Sequence, residues 1–428
     1  MSFSQDFLWG AASAAPQIEG AWDVDGRTPS VWDEPEAGAV RHGENPKIAC
    51  DHYHLYKDDV ALMKQIGLKA YRFSVSWSRV VPRRGQVNKK GIQFYCNLVN
   101  ELVSAGIEPM VTLYHSDMPV WVLEMGGWDN EEVSNAFAEY AEIVVKALSD
   151  RVKYWFTLNE PQCFANDCSH QTPSGDINRA TRTILLSHGR AVQVIHRYSV
   201  QPARVGLVIM GICPIPVEGI MDENAALEMT FSERAGVMGM GWWMDPAILG
   251  TVPEALKDTI SEADMEVIHQ KLDFFSMNSY FPANFHDYPD RTNPLVQPGM
   301  PRCQMGNVLD AEVLYYITKF CYQRYGLPVL ITENGTCMND RPCLDGKIHD
   351  PQRTDYIHRY LLALKRAVDE GIPVLGYLYW SIMDNFEWAY GYDVRFGLIY
   401  VDYPTQMRLL KDSAEFYREV IESNGENL

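Results

Sequence analysis

Short apolar segments with strand character recur along the whole chain, and stretches with helical periodicity separate them. Eight of these segments are predicted to be strands: Phe7–Ala12, Ala70–Trp77, Glu108–His115, Tyr154–Asn159, Arg204–Met210, Phe274–Tyr280, Pro328–Glu333 and Val374–Ser381. Amphipathic patterns predict helices in several of the gaps: Tyr53–Ile66, Gly91–Ala105, Glu131–Leu148, Ile184–Tyr198 and Asp355–Glu370. Strands that alternate with helices in this way favour a parallel (β/α)8 barrel, the TIM barrel of the α/β class.

Three glycines support the alternation. Gly106, Gly326 and Gly371 each lie just past a helix-like segment and before a strand, where a left-handed residue commonly ends a helix. No low-complexity tract or Ser/Gly-rich linker divides the chain. Although the length alone would allow two or three domains, α/β barrels with insertions exceed that prior as single units. We therefore expect one (β/α)8 catalytic domain over residues 1–428.

Two glutamates lie where predicted strands give way to turn residues: Glu160 in the string TLNEP (157–161) and Glu333 in ITENG (331–335). A lone glutamate at a strand end is more often a cap or part of an ion pair. In a (β/α)8 barrel, however, the active site lies at the C-terminal ends of the strands. The same ends are predicted to carry His115, Asn159, Asn278, Tyr280 and Trp380. Paired carboxylates across such a polar cleft are typical of glycoside hydrolysis.

Composition limits the partners of the chain. It has 46% hydrophobic residues, 22% charged residues and a net charge of −19 that is spread along its length. Such a surface repels nucleic acid and anionic lipids, so we expect a neutral small molecule and neither nucleic acid nor membrane as partner. No long apolar span and no signal peptide are visible, and the nine cysteines show no C-x-x-C spacing, which together favour a reduced, cytoplasmic protein. Homo-oligomerisation stays open.

Cofactor motifs are not found either. The chain has no G-x-G-x-x-G pattern and no phosphate-binding G-x-x-x-x-G-K-[ST] loop, so a nucleotide-dependent enzyme is disfavoured. His52, His54 and His115 could suggest a metal, but the first two fall in a string with a structural interpretation, and we expect neither a metal nor a cofactor.

A series of further strings occurs in order along the chain. They are FLWG (7–10), QIEG (17–20), DHYH (51–54), YRFS (71–74), TLYH (112–115), WS (380–381), DNFEW (384–388) and RFGL (395–398). Together with TLNEP and ITENG, they resemble glycoside hydrolase family 1, the retaining β-glycosidases, from residue 7 to about residue 413. Asn-Glu-Pro alone is a weak motif, whereas the ordered set makes coincidence implausible.

The resemblance implies a role for each glutamate. Glu160 matches the acid/base and Glu333 the nucleophile, with carboxyl groups expected about 5–5.5 Å apart as in retaining enzymes. An acid needs a raised pKa, which partial burial near a second carboxylate would provide. Arg72 and Tyr280 are expected to stabilise the carboxylate of Glu333. Asn159 matches the family residue that bonds the sugar 2-hydroxyl.

The resemblance also implies a sugar subsite. Its expected residues are Gln17, His115, Asn159, Asn278, Glu387 and Trp388 for polar contacts, with Trp380 as the floor and Phe396 nearby. Glu19 is interpreted as structural support. Relatives that act on 6-phosphorylated sugars replace Glu387, and a carboxylate there would repel a phosphate. The expected substrate is therefore an unphosphorylated β-glucoside, with galactosides, fucosides and substituted glucosides left open.

Three departures from the family pattern bear on specificity. The tryptophan that normally follows the histidine of the third strand is Ser116, which would open space beside the sugar unless Trp121 swings in. The aromatic residue common after Asn-Glu-Pro is Gln162, and the following loop, Cys163–Asp176, is short. The last two changes predict an open, polar acceptor side.

Two alternatives to hydrolysis follow. A transglycosidase would use the same glycosyl-enzyme, with a sugar or alcohol in place of water, and a polar acceptor side would suit it. A sugar-binding protein without turnover would be favoured by loss of either glutamate, and both are present.

Overall fold

Eight parallel strands close into one barrel in the computed structural model, which describes residues 3–166, 171–283 and 299–428. The strands are β1 (Leu8–Ala12), β2 (Ala70–Ser74), β3 (Glu108–Thr112), β4 (Tyr154–Asn159), β5 (Arg204–Met210), β6 (Phe275–Asn278), β7 (Val329–Asn334) and β8 (Val374–Trp380). Each strand pairs with its neighbours in sequence, and β8 pairs with β1 to complete the ring. The predicted TIM barrel is confirmed.

Helices surround the barrel. They are α1 (Ala15–Ile18), α2 (His52–Ile66), α3 (Trp77–Val80), α4 (Lys89–Ala105), α5 (Val120–Glu124), α6 (Glu132–Leu148), α7 (Pro161–Ala165), α8 (Ile177–Tyr198), α9 (Glu223–Thr230), α10 (Met240–Met244), α11 (Glu262–Ile268), α12 (Glu312–Tyr325), α13 (Pro351–Asp369) and α14 (Asp412–Glu422). A two-stranded antiparallel sheet, β9 (Ile399–Asp402) and β10 (Met407–Leu410), follows the barrel. No helix in the described ranges is long and apolar enough to span a bilayer.

The predicted boundaries differ from the structure at a few ends. β2 was predicted to reach Trp77, but it ends at Ser74, since Trp77 begins the short helix α3. β3 ends at Thr112, so His115 lies in the loop that follows. Helix α8 begins at Ile177, seven residues before its predicted start, because the Asp176 side chain accepts a hydrogen bond from the backbone N–H of Arg179 and caps the helix.

The interior of the barrel is apolar at one level and polar at the next. Ala70, Met110 and Phe156 belong to one buried cluster between the strands. Two residues after Ala70, Arg72 points to the same face of β2, because side chains alternate along a strand. Its guanidinium carbon lies 5.2 Å from the centre of the Phe156 ring. The apolar layer thus forms the base on which the polar groups of the strand ends rest.

A close backbone approach joins β7 to β8 at the site. Gly335 directly follows β7, and a Cβ atom there would lie 1.8 Å from the carbonyl oxygen of Trp380. Only glycine lets the chain after Glu333 pass so close to β8.

We predict that Gly335→Ala lowers the free energy of unfolding by about 1–3 kcal/mol, because the new methyl group must push two backbones apart. Thermal and urea unfolding of the variant measure the loss. Gly241→Ala is the control, since its Cβ would lie no closer than 3.3 Å to any atom, at the end of the Asp245 side chain and at the backbone oxygen of Phe231. Equal unfolding midpoints for the two variants would contradict the assignment.

Candidate active site

A cavity of about 360 Å³ opens at the C-terminal ends of the strands. Its lining includes Glu160 and Glu333 from opposite parts of the sequence, together with many of the residues expected at the sugar site: His115, Ser116, Asn159, Tyr280, Trp380, Glu387, Trp388 and Phe396. A volume of this size is typical of a small-molecule site. The closed barrel brings together side chains that lie more than 200 residues apart.

Glu333 is buried and is held at both carboxylate oxygens. Arg72 donates to Oε1 at 2.7 Å, and the Tyr280 hydroxyl donates to Oε2 at 2.6 Å. Burial raises the pKa of Glu333 to about 7, while the charge of Arg72 opposes this rise. Both predicted partners of Glu333 are therefore present, and each favours the ionised form that a nucleophile requires.

Glu160 lies just after β4 with φ of 49°, a left-handed conformation that is uncommon for a residue other than glycine. Its Oε1 accepts a hydrogen bond from Asn278 Nδ2 at 2.8 Å, and its Oε2 accepts one from the Cys163 thiol at 3.3 Å. Burial raises the pKa of Glu160, as expected for a general acid, while the two hydrogen bonds oppose this rise.

Asn159 and His115 have fixed orientations. Asn159 Oδ1 accepts from Arg72 at 2.6 Å, which turns its Nδ2 towards His115 Nε2 at 3.1 Å. Because Nε2 then accepts, the ring proton of neutral His115 lies on Nδ1. That atom is buried and has no partner among the described residues, and burial holds the pKa of His115 well below its usual range. His115 is therefore neutral, with its ring proton on a buried nitrogen.

Asn278 plays a different part from the one expected. The sequence placed it among the groups that contact substrate, but its side chain is completely buried. Its Nδ2 donates to Glu160 and, at 3.0 Å, to Asn159, while its Oδ1 accepts from Thr332 at 2.8 Å. With these bonds made, Asn278 positions the Glu160 carboxyl and does not line the cavity.

Gln17 and Glu387 form a second polar corner. Gln17 Nε2 donates to the backbone oxygen of Phe386 at 2.8 Å and to Glu387 Oε2 at 3.2 Å. Gln17 Oε1 is buried and accepts no hydrogen bond within the described part of the chain. Burial raises the pKa of Glu387 to about 8, helped by the charge of Glu333. Gln17 Oε1 and the neighbouring Glu387 carboxyl could both form hydrogen bonds with the hydroxyl groups of a sugar.

Aromatic rings form one wall of the cavity. The ring of His115 stacks 5.8 Å from Trp380 and 6.0 Å from Trp388. Trp32 was not among the residues predicted from the sequence, and the centre of its ring lies 4.7 Å from that of Trp388. Phe396 lies 6.2 Å from Tyr280. Such a wall gives the apolar face of a sugar a surface to cover.

The space beside Ser116 is not filled by Trp121, and that hypothesis was wrong. The indole of Trp121 donates to the backbone oxygen of Val81 at 3.0 Å and packs against Trp77, away from the cavity. Trp32 instead donates to the backbone oxygen of Ser116 at 2.9 Å, and Gln171 donates to the same oxygen at 3.0 Å. Ser116 itself lines the cavity, in a left-handed conformation with φ of 62°.

Gln162 was expected on the acceptor side of the cavity, but it does not line the cavity. Gln162 is buried, and its amide exchanges hydrogen bonds with the backbone of Met210 at 3.1 and 3.3 Å, which fixes the start of α7 to β5. The described lining of the cavity also includes apolar and aromatic side chains, namely Met210, Phe281, Met305, Leu309 and Tyr390. Of the loop predicted to be short, residues 167–170 lie outside the described residues.

His52 and His54, the two other histidines considered as metal ligands, have structural partners. His52 Nδ1 lies 2.7 Å from Asp59, and His54 lies 2.5 Å from Asp51. Glu19, interpreted as structural support, accepts from Arg79 at 2.9 Å and from Tyr95 at 2.6 Å. No cluster of three or more metal-binding side chains occurs in the described ranges.

Sequence inspection missed three contributors to the site. Cys163 contacts Glu160 from three residues further on, a spacing that one helical turn brings together and that could have been noticed. Trp32 and Gln171 are distant from Ser116 in sequence, and they contact it only in the folded chain, next to the end of β3. Nothing in their local sequence indicates that contact.

Comparison with known proteins fits this geometry. The model of glycosyl hydrolase family 1 matches residues 1–426. The chain belongs to glycosyl hydrolase family 1. This family member is 36% identical to beta-glucosidase A of Acetivibrio thermocellus over 99% of both chains. It is 35% identical to a bifunctional beta-D-glucosidase/beta-D-fucosidase of Bifidobacterium breve over 98% of both.

Its structure is similar as well. The solved structure of the beta-glucosidase from Thermotoga maritima in complex with glucoimidazole matches with a TM-score of 0.89 and 35% identity, and the match covers 99% of each chain. With the family established over the whole chain, this family 1 member is a glycoside hydrolase with β-glycosidase activity.

The raised pKa of Glu387 predicts a pH-dependent cost in stability. A carboxyl whose pKa is raised by folding stabilises the protein while it is protonated, and this contribution is lost as the pH rises through the folded value of about 8. We predict that Glu387→Gln melts near the wild-type temperature at pH 5 and above it at pH 9. The control is Glu266→Gln, at an exposed position. Equal differences from wild type at both pH values would contradict the prediction.

Proposed function

We propose that this family 1 enzyme hydrolyses unphosphorylated β-glucosides with retention of configuration, through a covalent glycosyl-enzyme. The observation that carries the proposal is the unequal environment of the two carboxyl groups. Glu333 accepts hydrogen bonds from a guanidinium and a phenol, whereas Glu160 accepts them from an amide and a thiol. One group is thus prepared to be an anion and the other to carry a proton.

In the first half of the reaction, a carboxylate oxygen of Glu333 attacks the anomeric carbon. The bond from that carbon to the leaving oxygen breaks, and Glu160 gives this oxygen its proton. Arg72 and Tyr280 hold the attacking carboxylate in place. Asn159, fixed by Arg72, is proposed to bond the 2-hydroxyl as charge develops on the sugar.

In the second half, the ester at Glu333 carries no charge. The pKa of Glu160 then falls, because the neighbouring negative charge that helped to keep it protonated is gone. Glu160 takes a proton from water, the water oxygen bonds to the anomeric carbon, and the bond to Glu333 breaks. We expect the carboxyl groups to be about 5–5.5 Å apart, the separation typical of retaining enzymes.

Glu387 and Gln17 support a neutral hexose as substrate. A phosphate at the sugar 6-position would meet the carboxyl of Glu387. Arg395, the basic residue in the following segment, is engaged with Asp384 at 2.6 Å and with the backbone oxygen of Val401 at 2.9 Å. Galactosides and fucosides are proposed as secondary substrates, in line with the glucosidase/fucosidase named among the relatives.

The leaving group is proposed to be apolar, an aryl or alkyl alcohol. Met305, Leu309 and Phe281 offer it an apolar surface, which disfavours the sugar acceptor that efficient transglycosylation would need. We also propose a cytoplasmic location, in line with the free thiols of the described cysteines, four of which are buried.

Variants of the two glutamates test the mechanism. We predict that Glu333→Ala abolishes turnover of a nitrophenyl β-glucoside, and that Glu160→Ala mainly slows substrates whose leaving group needs a proton. Added azide should rescue Glu160→Ala and give a β-glucosyl azide. Proton NMR of early wild-type product should show the β-anomer first. The α-anomer as the first product would contradict retention.

Ser116 is proposed to admit a substituent at the 3-position of the sugar. We predict that Ser116→Trp raises kcat/KM for a simple aryl glucoside and lowers it for a 3-substituted glucoside, because the indole fills the open space. The control is Ser116→Ala, which removes the hydroxyl group without adding volume. Equal rates for wild type and Ser116→Trp on both substrates would contradict this role.

A further inference from the structure

The two oxygens of the Glu160 carboxyl have donors of very different strength. Oε1 accepts from the side-chain amide of the buried Asn278 at 2.8 Å. Oε2 accepts from the thiol of Cys163, which lies in α7 and lines the cavity, at 3.3 Å. A thiol is a weak hydrogen-bond donor and a weak acceptor, whereas an amide N–H can only donate.

This asymmetry decides which oxygen carries the catalytic proton. An oxygen that accepts from an amide N–H is poorly placed to bear a proton of its own, so the proton of the acid form resides on Oε2. Oε2 must therefore alternate between hydroxyl and carboxylate oxygen during each turnover. The Cys163 sulfur can accept from the hydroxyl and its S–H can donate to the carboxylate, so one side chain contacts both forms.

We propose that Cys163 is a positioning residue for the Glu160 carboxyl, holding Oε2 in both halves of the reaction and favouring its ionised form. This inference rests on the proposed acid/base role of Glu160. It assigns a function to a side chain that neither the family pattern nor the sugar contacts require. Loss of the thiol should therefore change the protonation of Glu160 and leave the nucleophile as it is.

Several other groups face Glu160 and must be kept constant in any test. Arg72 on β2 lowers the pKa of Glu160. The charge of Glu160 in turn raises the pKa values of Glu333, Glu387 and Tyr280. His115 is neutral and bonded to Asn159. A substitution at Cys163 leaves all of these groups present, so a change in the titration of Glu160 reports the thiol.

The test is the pH dependence of kcat/KM for phenyl β-glucoside, whose alkaline limb reports the acid of the free enzyme. A hydrogen bond to the ionised form lowers a pKa, so its loss raises the pKa. We expect Cys163→Ala to move the alkaline limb up by about 0.5 unit, the scale of one weak hydrogen bond. Cys163→Ser, which restores a hydroxyl donor, should return the limb to the wild-type position or below.

Cys96→Ala is the matched control, because Cys96 is half-buried like Cys163 but lies on the outer helix α4. Its alkaline limb should coincide with that of wild type. If Cys163→Ala does not fold, Cys163→Val keeps the volume without a donor and gives the same comparison. An unmoved limb in the folded donor-free variant, or an equal shift in Cys96→Ala, would overturn the proposal.

Failure of the proposed mechanism would look different. If Glu160 is not the acid, Glu160→Ala keeps the wild-type alkaline limb and the wild-type rate on phenyl β-glucoside. If Glu160→Ala loses that limb while the Cys163 variants keep it, only the role of Cys163 is wrong.

Discussion

A buried guanidinium connects both sides of the active site. Arg72 is completely buried within the barrel and bonds Glu333 at 2.7 Å, Asn159 at 2.6 Å and Thr112 at 2.9 Å. An unpaired charge at such a place would cost several kcal/mol, so the acidic and amide groups around Arg72 also contribute to the stability of the fold. The bond to Asn159 in turn sets the tautomer of His115, whose ring proton lies on the buried Nδ1.

The same burial sets the protonation states of the carboxyl groups. The pKa values of Glu160, Glu333 and Glu387 are all raised, with removal from water as the largest cause in each case. The three groups differ in the donors around them, and the roles proposed for Glu160 and Glu333 rest on that difference. A charged donor on Glu333 opposes the effect of burial, whereas Glu160 accepts from an amide and a thiol. The apolar layer lies directly beneath Arg72, so one side of these polar groups faces a medium of low dielectric constant.

The fold and the main groups of the site were predictable for a physical reason. Strands with a period of two and helices with a period near 3.6 can be recognised locally, and a barrel places every strand end at one site. Glu160 and Glu333 could therefore be predicted to lie together at the strand ends, where both line the cavity. Gln162 and Trp121 were misplaced, because their direction depends on the backbone of Met210 and Val81, which meet them only in the folded chain. The thiol of Cys163 and the indole of Trp32 were not predicted as part of the site, because their contacts with Glu160 and Ser116 form only in the folded chain.

The central claim is that Glu333, held by Arg72 and Tyr280, forms a bond to the sugar. Incubation with a 2-deoxy-2-fluoro-β-glucosyl fluoride slows hydrolysis of this bond and allows the labelled peptide to be found by mass spectrometry. The account predicts one fluoroglucosyl group per chain, on the peptide that contains Glu333, and none on the Glu333→Gln variant. A label on another residue, or full turnover without any trapped intermediate, would contradict it.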